Sequence, residues 1–282
     1  MLKLGETKID AVSVGGLETC IELPAWDLCF DIGRCPPTAV RRSRVLFTHG
    51  HCDHMGGVAH HCSQRDLMGM KPPEYWMPQE CREGFDDLMA AWRRIDRSSF
   101  PHEATGVSPG DRFSLGKKRW ARVFRAVHRI PAVGYALGTT NTRLKPEYAG
   151  RSTAEIRTLV HAGETVTQEH ETIEVVFCGD TSIDVLERET CVRTAKILIL
   201  EVTFLDDRVS VESARRHGHV HLDEVLERAH LFENEHVVFT HFSARYSSRE
   251  IQRILNERLP PSLQQRVHPL LPGPPWEVRA ET

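Results

Sequence analysis

The chain has 282 residues, 40% of them hydrophobic, with 36 Lys and Arg against 39 Asp and Glu and a formal net charge of −3. That length and apolar content exclude a disordered chain or a disulfide-stapled miniature, and the near-balanced charge does not advertise a polyanion-binding protein. No run approaches ~18 apolar residues, residues 1–6 carry no apolar core of a secretory signal, and the eight cysteines form no Cys-x-x-Cys pair, so a cytoplasmic protein with reduced thiols and no membrane span is expected.

Three β-rich runs open the chain, 9–14, 17–23 and 28–32, separated by Gly15-Gly16 and Pro24-Ala25 as in a meander of strands. The run Arg44-Val45-Leu46-Phe47 reads as a buried strand, 53–70 as an amphipathic helix and 80–96 as a second helix. A β-rich block covers 111–138, with 119–128 and 133–137 its clearest strands. Residues 145–170 are polar and read as a helix with loops. Strand and helix then alternate: strand 173–178, a helix from about Ser182, strand 195–201, helix 221–233, strand 237–240, a helix from Ser247 and strand 267–270. In the 221–233 helix Leu222, Val225, Leu226 and Ala229 share one face, which predicts packing on a sheet. Punctuation is densest at Leu259-Pro260-Pro261 and Leu271-Pro272-Gly273-Pro274-Pro275, and nothing reads as a linker or a repeat, so a single domain over 1–282 is expected. Two β-then-α halves predict an α/β fold, with two sheets stacked between outer helices.

Residues 48–57, Thr-His-Gly-His-Cys-Asp-His-Met-Gly-Gly, crowd His49, His51, Asp53 and His54 onto the turn between that buried strand and the helix after it. On such a turn two of these groups can face one way and two the other. Imidazole and carboxylate are ligands for Zn²⁺ and its first-row neighbours. Three more ligand-type residues stand where apolar runs end, the usual location of sites in α/β proteins: His128, Asp180 and His241. Each alone reads as a capped turn or a satisfied core residue; with the first cluster they make up seven ligands, enough for two metals sharing one carboxylate. Basic residues gather at Arg41, Arg42 and Arg44, at Arg93, Arg94 and Arg97, from Lys117 to Arg125, and at Arg215 and Arg216, which permits a basic stripe on the surface.

The signature His-x-His-x-Asp-His at 49–54 resembles that of the metallo-β-lactamase superfamily, which implies an αββα four-layer sandwich. Further blocks resemble ribonuclease Z (tRNase Z) in its short plant-type form: Phe30-Asp31-Ile32-Gly33-Arg34-Cys35, His128 followed by Gly134-Tyr135, Gly179-Asp180-Thr181, 201–207, Gly218-His219-Val220-His221, and Thr240-His241-Phe242-Ser243-Ala244-Arg245-Tyr246. These run from 30 to 246 in that family's order. The resemblance implies two Zn²⁺ per chain, with Mn²⁺ or Fe²⁺ as substitutes: His49, His51 and His128 on one, Asp53, His54 and His241 on the other, and Asp180 bridging. Asp53 would also orient the attacking water. His219 would protonate the leaving ribose 3′-oxygen while Glu201 holds its imidazole, and a carboxylate there raises the histidine's pKa, the direction a general acid needs.

Two departures stand out. His219-Val220-His221 replaces the family's His-Ser-Thr, which leaves His221 and His217 as rival acids. The interval from His128 to Asp180 lacks the Gly- and Pro-rich arm of the bacterial form, so any arm is expected to be short and differently made. Ser243, Arg245 and Tyr246 after the last metal histidine, and Arg34 in its turn, are candidate contacts for the phosphate at the cleaved bond, with a packing role the alternative for Tyr246. The activity implied is removal of the 3′ trailer from precursor tRNA by a homodimer, leaving a tRNA 3′-hydroxyl. A phosphodiesterase for small cyclic-nucleotide-type diesters, or a thioester hydrolase, would use the same ligands.

Overall fold

Strand residues alternate between two apolar environments, and that alternation sets the layering in the computed structural model, which describes residues 1–273. The punctuation expected at Pro274-Pro275 lies outside the described residues. The first half runs β1 (Leu2–Leu4), β2 (Thr7–Val14), β3 (Glu18–Leu23), β4 (Leu28–Phe30), β5 (Arg44–Leu46), α1 (Cys52–Met55), α2 (Val58–Leu67), β6 (Glu74–Pro78), α3 (Arg82–Asp96) and β7 (Glu103–Val107). The second runs β8 (Arg112–Gly116), β9 (Arg119–Arg125), β10 (Val133–Leu144), α4 (Thr153–His161), β11 (Thr167–Phe177), α5 (Val185–Arg188), α6 (Thr190–Thr194), β12 (Ile197–Glu201), α7 (Val211–His217), α8 (Leu222–Glu227), β13 (His236–Thr240), α9 (Ser248–Arg258), α10 (Pro261–Gln264) and β14 (Val267–Pro269).

Each half forms a seven-stranded sheet, in the orders β1-β2-β3-β4-β5-β6-β7 and β14-β13-β12-β11-β10-β9-β8. Both sheets repeat one plan. Antiparallel pairing links β1 to β4 and β8 to β11, and parallel pairing links β4 to β7 and β11 to β14. In β12, Ile197 and Ile199 join Phe30, Leu46, Tyr135 and Phe177 in the layer between the sheets, while Leu198 and Leu200 join the layer under the outer helices with Val225, Ile251 and Leu255. A third cluster, with Phe47, Val58, Tyr75, Phe85 and Met89, lies between the first sheet and α1–α3. Three apolar layers between four structural layers make the αββα sandwich, as the period-two burial of half-buried strands requires.

The chain differs from the sequence expectation in identifiable places. The helix expected over 53–70 breaks into α1 and α2 at Gly56-Gly57, because that corner packs directly on the loop after β4. A Cβ on Gly57 would stand 2.6 Å from Ile32 O and 2.7 Å from Cys35 N. The helix expected from Ser182 is two short pieces, and that over 221–233 ends at Glu227 before a 3₁₀ turn, Ala229–Leu231. Strands β1, β6 and β7 and helices α7 and α10 were not expected. Strand β10 runs past the expected 137 to Leu144. Beyond Thr139 on β10 and before Ile173 on β11 the two strands pair only with each other. They leave the sheet as a two-stranded ribbon whose far end carries α4, closed by a Ser152–Glu155 capping box and burying none of its residues. This ribbon occupies the interval between His128 and Asp180 in which any arm was expected to be short.

Candidate active site

Functional side chains converge because the loops carrying them leave the same end of both sheets. Asp31 follows β4, Thr48 to His54 follow β5, His128 follows β9, Asp180 follows β11, Glu201 ends β12 and His241 follows β13. The turns are tight. His241 and Asp31 adopt left-handed backbone, at φ 59° and 56°, and Gly179, at φ 62°, abuts Thr48, whose Cβ would lie 2.6 Å from an added methyl.

Hydrogen bonds fix the tautomers of four imidazoles. Thr48 Oγ1 donates to Asp31 Oδ2 (2.8 Å) and so accepts from His49 Nδ1 (3.0 Å). Thr203 Oγ1 donates to Glu201 Oε2 (2.5 Å) and accepts from His241 Nδ1 (2.9 Å). His54 Nδ1 donates to Asp31 Oδ2 (2.8 Å), and His128 Nδ1 to Gly218 O (2.9 Å). All four are left with a bare Nε2 lone pair directed inward. His51 Nδ1 lies 3.1 Å from His49 Nε2 and 3.4 Å from His128 Nε2. A proton on His51 Nδ1 can serve only one of the other two nitrogens, so this close grouping of three suits a cation among them.

The carboxylates complete two groups. Asp180 Oδ2 is 3.7 Å from His49 Nε2, while Oδ1 is 3.4 Å from both His54 Nε2 and His241 Nε2. Asp53 Oδ2 lies 3.5 Å from His54 Nε2 and 3.6 Å from His241 Nε2 and accepts from Gly16 N (3.0 Å). Ligand atoms of His49, His51, His128 and Asp180 cluster, as do those of Asp53, His54 and His241, with Asp180 facing both groups. His54 Nε2 and His241 Nε2 are buried without a hydrogen-bond partner, an arrangement that is unfavourable unless a metal takes the lone pairs. Electrostatics agree. Burial works against charge on His54, yet Asp180 and Asp31 outweigh it and raise its pKa well above the ordinary range; burial opposes ionisation of Asp180, but His241 and His54 hold it well below that of an ordinary carboxyl. The pocket draws positive charge to its centre, and the donor set fits a metal of the zinc class.

Glu201 sits beside this cluster, buried. Its Oε1 accepts from His219 Nδ1 (2.8 Å) and Thr181 N (3.1 Å), and its Oε2 from Thr203 and from Val220 N (3.2 Å). His219 faces His128 and His241 at ring distances of 5.3 and 5.4 Å. Burial lowers its pKa, but Glu201 and then Asp180 prevail and push it up to about 9. The rival histidines are occupied elsewhere. His221 is buried, donates from Nε2 to Asp206 O (3.2 Å) and accepts at Nδ1 from Asp223 N (3.1 Å), capping α8. His217 is exposed and donates to Ser213 O (2.7 Å).

The phosphate candidates divide. Tyr246 is buried; its hydroxyl accepts from Leu205 N (2.9 Å) and donates to Asp206 Oδ1 (3.1 Å). The expectation of a phosphate contact at Tyr246 is therefore corrected to a packing role. Ser243 is half-buried beside His241, with its backbone bonded to Thr203 O. Arg34 is exposed on the turn after β4, and Arg245 is exposed on the wall of a cavity that includes His219. Two of the basic clusters are largely committed to ion pairs within the chain: Arg42 pairs with Glu22, Arg44 with Glu74, Arg215 with Glu224 and Arg216 with Glu212. Asp31, Thr48 and Thr203, which orient the ligands, were not singled out by sequence because their role lies in contacts between distant segments.

Residues 33–242 match the Beta-lactamase superfamily domain. The tRNase Z TRZ1 of Arabidopsis thaliana is 40% identical over 267 residues, covering 94% of this chain and 95% of that protein. The chain belongs to the tRNase Z family. A second Arabidopsis thaliana relative in this family, tRNase Z TRZ2, chloroplastic, is 31% identical over 274 residues, covering 96% of this chain and 77% of its own. The crystal structure of human tRNase Z, short form, has the same fold at a TM-score of 0.60 and 18% identity, covering 94% of this chain and 96% of that one.

For this tRNase Z family member, Asp31→Asn should weaken zinc binding about 10–100-fold, since the amide cannot serve both His54 and Thr48 as the carboxylate does. Competition titration against a chromophoric chelator measures it; unchanged affinity would show that Asp31 does not orient His54.

Proposed function

We propose that this protein is a metal-dependent endoribonuclease that removes the 3′ trailer from precursor tRNA, with two Zn²⁺ held by His49, His51 and His128, by Asp53, His54 and His241, and by Asp180 between them. The observation that carries the reading is the Glu201–His219 pair, 2.8 Å apart beside the ligand cluster. When bound, the metals supply a water of lowered pKa and positive charge against the phosphate oxygens.

Asp53, held at one oxygen by Gly16 N, orients the incoming water in line with the ribose 3′-oxygen on the far side of phosphorus. The P–O3′ bond breaks as the new P–O bond forms, and His219 gives its Nε2 proton to the departing 3′-oxygen. Glu201 holds Nδ1 and favours the imidazolium. A ribose alkoxide is a poor leaving group and needs that proton; a thiolate does not, which disfavours the thioester reading. The ribbon exposes Arg143, Arg151 and Arg157, and these groups support a large RNA over a small diester because they attract phosphates at a distance.

A cytoplasmic homodimer is part of the proposal. All eight cysteines are free, and among the described residues no helix is long and apolar enough to cross a membrane. On α3, Leu88, Trp92 and Ile95 form an exposed apolar stripe (40%, 40% and 73% accessible). Glu83 and Asp87 stand toward its start and Arg93 and Arg94 toward its end, so two copies of α3 laid antiparallel would match acid to base about a two-fold axis.

His219→Ala should lower kcat for precursor tRNA by ~10²–10⁴ while leaving nitrophenyl diesters nearly untouched. Because the pKa of His219 is raised, its contribution is present below that pKa and lost as pH rises through it. The wild-type kcat profile should descend at or below about 9, lower where bound dications oppose the imidazolium, and the limb should vanish in the variant. Equal slowing of both substrates would make His219 structural. Trp92→Asp should turn the dimer into a monomer in sedimentation velocity, and a persistent dimer would remove α3 from the interface.

A further inference from the structure

A cavity of about 440 Å³ opens against His219, lined by Arg129, Phe204, Val209, Ser213 and Arg245 among others. Its size is that of a site for one small-molecule-sized group, roughly 300–1,000 Å³. Its walls are of two kinds. Phe204 and Val209 form an apolar face, with the Phe204 ring edge-on to His219 at 6.1 Å. Arg129 and Arg245 bring guanidinium groups with no acidic partner among the described residues, whereas Arg208 on the same rim is committed to Asp206 and Glu250. Each free arginine is delivered by a segment carrying a ligand histidine: Arg129 directly follows His128, and Arg245 lies in the turn after His241. An apolar wall flanked by unpaired guanidiniums matches a nucleotide, base against the wall and phosphates on the arginines.

The position of the cavity says which nucleotide. In an in-line displacement the proton donor stands on the leaving-group side. His219 is tied at Nδ1 to Glu201, so the group it protonates approaches from its open, cavity side. The oxygen that leaves is the 3′-oxygen of the nucleotide that stays on the tRNA. We propose that this cavity is the subsite for that last tRNA nucleotide, with Arg129 and Arg245 on its phosphates and Phe204 and Val209 against its base. The proposal rests on the precursor-tRNA reading above.

Cleavage kinetics on three precursor tRNAs test it: intact, abasic at the last tRNA nucleotide, and abasic at the first trailer nucleotide. Wild-type protein should show KM raised about tenfold by the first abasic site and much less by the second, since base–aromatic contacts are sequence-tolerant but substantial. Ser213→Trp, filling the cavity from α7, should raise KM for the intact RNA about tenfold with kcat nearly kept, and its penalty should shrink to under about threefold on the RNA abasic at the last tRNA nucleotide. Arg129→Ala should raise KM on all three RNAs, with partial recovery in Arg129→Lys. Coupling of Ser213→Trp to the trailer abasic site, or equal penalties on every RNA, would overturn the assignment. If Ser213→Trp loses its folded signature by circular dichroism, Ser213→Leu takes its place, and the wild-type comparison decides without either. Failure of the wild type to cut any precursor tRNA would reject the proposed function itself, a result separate from every ratio above.

Discussion

Uncompensated burial is the constraint on which this structure turns. Four Nε2 lone pairs and a His51 nitrogen are aimed at one volume whose walls also hold Asp53 and Asp180. Taking such groups from water costs several kcal/mol unless a partner of opposite character meets them, and a metal of the zinc class is the partner this donor set fits. The surrounding hydrogen bonds follow from the same need. The second nitrogens of His49, His54, His128 and His241 are tied by Thr48, Asp31, Gly218 O and Thr203, so these four rings cannot turn to relieve the repulsion.

Glu201 extends this logic from metal binding to chemistry. Through Thr203 it orients His241, and directly it orients His219. One buried carboxylate thus sets the positions of His241 and of the proposed proton donor together, and five donors to its two oxygens keep it in place. Glu201 stands at the end of β12, between the strands that precede Asp180 and His241, so the sheet fixes the carboxylate on which His219 and His241 both depend.

Much of this was legible in the sequence where chemistry is local. The His-Gly-His-Cys-Asp-His segment carries four ligands within six positions, and the ends of β11 and β13 could be read from the apolar runs before Asp180 and His241. What escaped depends on contacts between segments far apart in the chain. Gly56-Gly57 looked tolerable inside a helix, because nothing local reveals that Ile32 O packs against it. Strands β6 and β7 were hidden by Pro72-Pro73 and by a polar edge sequence, and the ribbon by residues that have no apolar face to bury. Tyr246 was ambiguous for the same reason. A phenol after a ligand histidine suits a phosphate, and only the fold reveals that Leu205 N and Asp206 already hold its hydroxyl. The resemblance already favoured His219, and the hydrogen-bond partners that occupy His221, which the spacing does not encode, agree with it.

The central claim is that water attacks phosphorus in line while His219 protonates the tRNA 3′-oxygen. Cleavage of precursor tRNA in ¹⁸O-enriched water, with mass spectrometry of both fragments, tests it most directly. The expected result is one ¹⁸O on the 5′-phosphate of the released trailer and an unlabelled 3′-hydroxyl on the tRNA. Label on the tRNA fragment, or a 2′,3′-cyclic phosphate at its end, would contradict the account.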